Sequence, residues 1–432
     1  MKKDILQMAK GTRDFGSEDK MLRNRITDLM GQVFESFGYR PIETPIIERY
    51  DLFASKFGQG EQSDSMKETF KLTDQGERSL VLRNEFTVPL ARYVGSNPNL
   101  KMPFKRYQMG QIFRDGPIKL GRYREFWQCD IDIVGNKNVS ADAEILMAAQ
   151  VIFKELELDV SIYLNNRKIL NAVLNKFDVP AELQDDVIIS IDKLDKIGVD
   201  GVIDELKEKK IETGRELLEL LSFAGSNEEK IKKLQEVIGE NDGLEEIQKV
   251  LDLMPDNTNV VFQPSLARGL VYYTGNVFEI ALKDQSKIKS SLAGGGRYDE
   301  MIGGFVGSKE GIPAVGIGIG LETIMDAIKL KDDIALIKTY TNIFVIPMGE
   351  ENLKASIKIA DDIRVLGYNV DIDLMNRKVK KNFDYANDMQ IPYVVVIGSD
   401  EVKNGKITIK NMETGQQETI EIQSIGEFVT KE

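Results

Sequence analysis

Residues 126–133 alternate between two chemistries. Phe126, Gln128, Asp130 and Asp132 fall on one side of a two-residue period, Trp127, Cys129, Ile131 and Ile133 on the other. That period predicts a β-strand with one apolar face. The opposite face constrains the fold more, because carboxylates there need water or partners. Just upstream, Arg114, Arg122 and Arg124 crowd a glycine-containing loop, in the stretch FRDGPIKLGRYREFWQCDIDIVG over 113–135. Guanidinium forks suit phosphates and carboxylates. Asp and Gln suit an ammonium or a ring N–H. An edge hairpin with solvated charges would also carry this composition, but it does not call for polar groups on a core-facing side.

Composition narrows the chemistry. A chain of 432 residues exceeds one ordinary core, so two or three domains are expected. No apolar run approaches ~18 residues, which argues against a membrane span. The opening MKKDILQMAKGTRDF has no apolar stretch of a secretory signal, so the cytosol is the expected compartment. Cys129 is the one cysteine, which excludes an intramolecular disulfide and a multi-cysteine zinc site. Histidine is absent. There is then no Ser-His-Asp triad, no imidazole base and no His-ligated metal, and no protein metal site is expected. Catalysis falls to carboxylates, Arg, Lys, hydroxyls, backbone amides or the substrate itself. The net charge of −13 argues against a generic nucleic-acid coat but leaves room for a local basic patch.

The pattern along the chain gives the organisation. Leu22, Ile26, Leu29, Met30, Val33 and Phe34 predict an amphipathic helix over 18–37, stopped by Gly38 and followed by an extended segment with Pro41 and Pro45. A hairpin is expected around Asp74-Gln75-Gly76, then a helix from about Arg83. Residues 141–156 read as helix and 160–164 as strand. From 166 to 255 Lys, Glu, Leu and Ile recur at helical spacing, which predicts an all-helical insertion. Strand patterning returns over 259–282 and 289–293, then in the glycine-spaced run 314–320, followed by a helix from Leu321. Beyond a charged linker (329–338), strands at 342–347, 369–373 and 392–397 alternate with helices at 350–366 and 376–388. A hairpin and a final helix follow, and this alternation implies a largely parallel sheet.

Several segments together resemble one family. The 113–135 block is similar to motif 2 of the class II aminoacyl-tRNA synthetases, in the form found in histidyl-tRNA synthetases. Arg268-Gly269-Leu270-Val271-Tyr272-Tyr273-Thr274-Gly275 resembles the histidyl signature RGLDYYTG, with Val271 where the family has aspartate. Ala293-Gly294-Gly295-Gly296-Arg297-Tyr298-Asp299 resembles the second signature, AGGRYD. The helix, glycine and proline-bearing strand near the start resemble motif 1, a dimer-interface element. Gly316-Ile317-Gly318-Ile319-Gly320-Leu321-Glu322-Thr323 resembles motif 3, except that Thr323 stands where the family usually has an ATP-clamping arginine. The stretch 366–415 is similar to the family's anticodon-binding domain.

The resemblance implies an α+β fold. A class II catalytic domain over 1–330, with an antiparallel sheet flanked by helices, would contain the helical insertion 166–255. An α/β anticodon-binding domain would follow over 339–432. It implies histidine, ATP with Mg2+, and tRNA(His) as ligands, a homodimer, and ligation of histidine to tRNA through histidyl-adenylate. Arg268 and Arg114 would be catalytic. Glu85, Phe86, Thr87, Gln128, Asp132, Tyr272 and Tyr273 would bind histidine. Arg114, Arg122, Gly295 and Gly320 would bind ATP, and the basic run Arg377, Lys378, Lys380 and Lys381 would bind tRNA. The two departures, Val271 and Thr323, admit alternatives: a tRNA or histidine sensor or regulator, or an adenylate-forming ligase with another acceptor. A chain without histidine can also be translated when charged histidyl-tRNA is scarce. Continued accumulation in histidine-limited cells is then expected, and a decline parallel to other proteins would remove that idea.

Overall fold

The computed structural model describes residues 3–55, 60, 63–118, 121–211, 214–269, 272–308, 310–331 and 337–429. Val271 lies outside the described residues, as do the middle of the charged linker and the last three positions. By internal contacts the chain forms two units, residues 1–13 with 23–334 and residues 14–22 with 335–432.

The first unit is built on an eight-stranded sheet. Its strands are β1 (Arg40–Pro41), β5 (Phe104–Phe113), β6 (Glu125–Val134), β7 (Val160–Asn166), β8 (Val260–Phe262), β9 (Asn276–Leu282), β10 (Ala293–Arg297) and β11 (Ala314–Gly320). They lie in the order β1-β5-β6-β11-β10-β9-β7-β8. The six central strands pair antiparallel, while β1 on β5 and β8 on β7 pair parallel at the two edges. The expected antiparallel sheet is therefore mixed at its rims, where long connections allow parallel pairing. A small sheet of β2 (Ile47–Arg49), β3 (Lys71–Thr73) and β4 (Ser79–Leu82), in the order β2-β4-β3, stands apart from it.

Helices pack on this framework. Ser140–Glu155 packs against β6 and β11, Leu321–Lys329 against β6, and Asp242–Leu253 against β7 and β9. Between β7 and β8 the chain is helical, from Arg167–Lys176 through Ala181–Ile191, Leu194–Glu208, Gly214–Leu221 and Asn227–Ile238 to Asp242–Leu253. The expected strand pattern over 259–282 survives only as β8 and β9. The described residues between them, 263–269 and 272–275, are irregular, and Pro264 and Gly269 both disfavour a regular strand there. Of the segment 289–293, only Ala293 is strand, as the first residue of β10.

The second unit carries β12 (Ile343–Pro347), β13 (Val370–Ile372), β14 (Tyr393–Ile397), β15 (Lys406–Asn411) and β16 (Gln417–Glu421), in the order β13-β12-β14-β15-β16. The first three strands are parallel, but β15 and β16 are antiparallel. The connection over 398–405, with the short helix Ser399–Asn404, is too short for a parallel crossover. The expectation of a largely parallel sheet holds for the first three strands only.

Candidate active site

β6 has two buried faces. Cys129, Ile131 and Ile133 fill one, and Asp130 and Asp132 on the other are only 4% and 3% exposed. The solvated-hairpin alternative is therefore ruled out. Register explains how carboxylates fit inside a sheet. On one side Gln128, Asp130 and Asp132 pair with Gly110, Gln108 and Arg106 of β5; on the other they pair with Gly320, Gly318 and Gly316 of β11. A Cβ at Gly316 would sit 1.9 Å from Asp132 Oδ1, and one at Gly318 would sit 2.4 Å from Gln128 Nε2. The glycine spacing of β11 thus leaves volume for the polar face of β6.

The carboxylates there are tied to one another's partners. Asp132 Oδ2 lies 2.5 Å from Arg106 Nη2, and its other oxygen accepts from the Tyr298 hydroxyl. Asp132 is thus less open to a ligand N–H than its place in the motif implies, because both oxygens already have protein partners. Asp130 accepts from Gln128 Nε2 at 2.9 Å through one oxygen, while its buried Oδ1 has no hydrogen-bond partner among the described residues. Burial pushes Asp130 up to about 8, against the pull of Arg106 and with the repulsion of Asp132. Burial raises Asp132 as well, though Arg106 and Tyr298 oppose it. Arg106 lies outside every quoted motif, and Asp130 and Tyr298 lie within motifs but had no expected role. The signal for Asp130 was its shared strand face; Arg106 gave no local signal and is identified by register.

Glu85 precedes the helix Thr87–Gly95 and accepts from Thr87 N at 2.6 Å and Val88 N at 2.7 Å. It caps the helix, yet a carboxylate has lone pairs left for an ammonium. Burial raises its pKa against these hydrogen bonds and the nearby Arg114. Phe86 is fully buried beneath the Arg83 guanidinium, so its side chain is a packing element rather than a ligand wall. Thr87 is half-buried at the helix start.

Arg114 donates from Nε to Asn84 O at 3.0 Å and stacks over Phe126. This leaves the outer edge of its guanidinium for a ligand. Arg122 is held by both oxygens of Glu68, at 2.6 and 2.7 Å. That pair must open or tilt before Arg122 can serve a phosphate, a cost absent from the sequence expectation.

On the other side of the site Arg268 donates to Glu279 Oε2 at 2.9 Å, beside Gly294. A Cβ on Gly294 would lie 2.5 Å from Arg268 Nη1. Gly296 likewise accommodates Tyr273, whose ring would meet a Cβ at 2.8 Å. Tyr272 packs on Tyr273 with ring centroids 4.8 Å apart and meets Tyr298 edge-on at 6.1 Å. A continuous path of contacts therefore runs Arg268–Tyr273–Tyr272–Tyr298–Asp132. Gly295 of β10 opposes Ile317 of β11 backbone to backbone, with no room for a Cβ, and Gly320 ends β11. Arg297 is only 4% exposed and anchors β10: it pairs with Asp142 and Asp299 and donates to the carbonyls of Asn136 and Asn138. Glu322, one position before Thr323, pairs with Arg23 at 2.7 Å and accepts from Trp127 N at 2.8 Å. Among the described residues no three acidic or cysteine side chains gather as a metal site.

In the second unit, Arg377 stacks on Tyr385 with its backbone N–H on Asp373, and Lys378, Lys380 and Lys381 are exposed around the start of the helix Val379–Asp388.

A helix-flanked, centrally antiparallel sheet with an arginine-bearing loop and a glycine strand beside it defines a class II aminoacyl-tRNA synthetase catalytic unit. A family model described as Histidyl-tRNA synthetase matches residues 11–324, and one described as Anticodon binding domain matches 342–432. The chain belongs to the histidyl-tRNA synthetase family. It is 40% identical over 431 residues to "Histidine--tRNA ligase 1" of Bacillus cereus, covering 98% of this chain and 99% of that one. It is 38% identical over 430 residues to "Histidine--tRNA ligase 2" of Shouchella clausii, covering 97% and 99%. The crystal structure of histidyl-tRNA synthetase from Nostoc sp. superposes with a TM-score of 0.84 at 30% identity, over 99% of both chains.

Proposed function

We propose that this protein activates histidine with ATP and transfers it to tRNA(His). The observation that carries the reading is the buried polar face of β6, opened by the glycines of β11 and walled by Arg114, Glu85 and the path from Asp132 to Arg268. In the first step a histidine carboxylate oxygen attacks the α-phosphorus. An O–P bond forms, the bond to the β-phosphate bridging oxygen breaks, and pyrophosphate leaves. The carboxylate is already ionised, so no protein base is needed, which suits a chain without histidine. Arg268 and Arg114 stabilise charge developing at the α-phosphate from fixed positions. Glu85 and Thr87 hold the ammonium, while Gln128 and Asp132, with Asp130 beside them, face the imidazole and orient the amino acid. The tyrosines wall the pocket.

In the second step the terminal ribose hydroxyl attacks the adenylate carbonyl, AMP leaves, and a phosphate oxygen takes the proton. Arg122, Gly295 and Gly320 line the nucleotide side. Magnesium would enter with the nucleotide, since it is commonly held by one or two carboxylates and substrate phosphates; when bound it neutralises phosphate charge. Residues 1–330, with the insertion 166–255, act as the catalytic part of a homodimer. Residues 339–432 bind the anticodon, with Arg377, Lys378, Lys380 and Lys381 on tRNA. No helix of the described residues is long and apolar enough to cross a membrane.

Histidine-dependent exchange of labelled pyrophosphate into ATP tests the first step. Absence of exchange with every amino acid would sink the proposal. Exchange without acylation of tRNA(His) would reassign the acceptor.

A further inference from the structure

Thr323 sits in the first turn of the helix Leu321–Lys329 and is only 6% exposed. It brings no charge to a position where the resemblance implies an arginine clamped on ATP. Beside it opens a cleft of about 260 Å³. Three segments meet there: the arginine loop before β6 at Gly121, the helix start at Thr323, and the β9–β10 connection at Ser290. A Cβ on Gly121 would lie 3.6 Å from Thr323 Oγ1 and 3.8 Å from Ser290 Oγ. The β9–β10 connection adds Lys287 and Lys289 to the lining of this cleft.

These two lysines flank Ile288, which is 5% exposed and fastens the segment, while both lysines are exposed. Lys289 makes no ion pair or hydrogen bond among the described residues, and Lys287 donates to Leu330 O at 3.4 Å and lies near Asp284. The carboxylate lining the cleft is Asp326, one helical turn beyond Thr323 and directed at the Tyr123 hydroxyl. No ion pair joins it to either lysine among the described residues. The cleft thus holds two cations that no ion pair fixes among the described residues, at the place where the family's motif lacks one.

We propose that Lys289, assisted by Lys287, supplies the positive charge on the ATP phosphates that an arginine at position 323 would otherwise supply. This inference rests on the synthetase reading and names the residues that complete its nucleotide site. A lysine is a compact charge on a flexible stem, suited to phosphate but without the guanidinium fork. It is held in water until nucleotide arrives, so its contribution falls mainly on ATP affinity and weakens with salt.

The test uses the full-length protein with the double variant Lys287→Ala/Lys289→Ala, the single variant Lys289→Arg, and the double variant carrying Thr323→Arg. Histidine-dependent pyrophosphate exchange gives separate KM values for ATP and histidine, and calorimetry gives ATP binding directly. Losing a charge-assisted phosphate contact should raise the KM and Kd for ATP roughly tenfold or more, with the KM for histidine unchanged. Lys289→Arg should retain ATP affinity, and Thr323→Arg should restore it to the double variant. An unchanged KM and Kd for ATP would overturn the inference, as would equal rises in the KM for ATP and for histidine. If the unaltered protein shows no exchange, the synthetase reading fails by itself. ATP binding by the double variant then still decides the role of the lysines.

Discussion

The two main sheets bury different things. In the five-stranded sheet Ile343, Phe344, Val345 and Ile346 of β12 and Val394, Val395 and Ile397 of β14 are all almost wholly inaccessible. Its central strands are apolar on both faces, as parallel strands covered by helices are, and the charged side chains of the sheet lie on β13, β15 and β16. The eight-stranded sheet instead buries Arg106, Asp130, Asp132 and Arg297. Buried charge is costly unless paired and adds little net stability. A sheet that tolerates it at its centre is holding polar groups in position for a ligand. The five-stranded sheet stiffens a surface; the eight-stranded one is itself part of the pocket.

The largest expected effect tests whether the charges in the first sheet are indispensable to its fold. Arg297→Ala leaves the carboxyl of Asp142 buried without its cation, and should destabilise the first unit by about 3–5 kcal/mol. Ile346→Val in the second sheet should cost only about 1 kcal/mol. Denaturant unfolding measures both, and similar values would erase the contrast.

A second variant separates positioning from stability. Gly294→Ala places a methyl group against Arg268, which must shift. Misplacing a catalytic group by about 1 Å can cost on the order of 100-fold in rate. Pyrophosphate exchange should show that loss in kcat, with the melting temperature little changed because the Arg268 side chain, 23% exposed, can swing outward. Loss of stability matching the loss of rate would make Gly294 a packing residue only.

The third concerns protons. Folded Asp130 keeps its proton up to about pH 8, whereas in the unfolded chain an aspartate releases it near 4. Between those values the folded state binds the extra proton, so stability falls as pH rises through the window. Asp130→Asn removes that slope and should be the more stable protein at pH 8, with the advantage fading toward pH 4. Parallel melting curves across this range would show that Asp130 is not the group responsible.

The contrast also explains what was legible in sequence. The alternation of 126–133 gave β6, and glycine spacing gave β11. Their register, which sets Gly316 and Gly318 beside Asp132 and Asp130, was not legible, because pairing partners are far apart in the chain. Arg106 looks like an ordinary strand residue until the sheet brings it to Asp132. The inward packing of Phe86 beneath Arg83 was equally hidden, as was the pairing of both Asp132 oxygens. The basic run at 377–381 was legible because its groups are neighbours in sequence and stay on the surface.

That surface run gives the smallest expected effect and the sharpest test of the division between the sheets. Lys378, Lys380 and Lys381 are exposed, so replacing any one with alanine should leave stability and pyrophosphate exchange unchanged. Only the tRNA-dependent step should respond, through a several-fold rise in KM for tRNA and a salt slope reduced by up to about 1 per lost phosphate contact. A change in exchange would mean that the second unit influences the pocket in the first. An unchanged salt slope would move the tRNA contacts elsewhere, because removing a phosphate-bound cation must reduce the counterions released on binding.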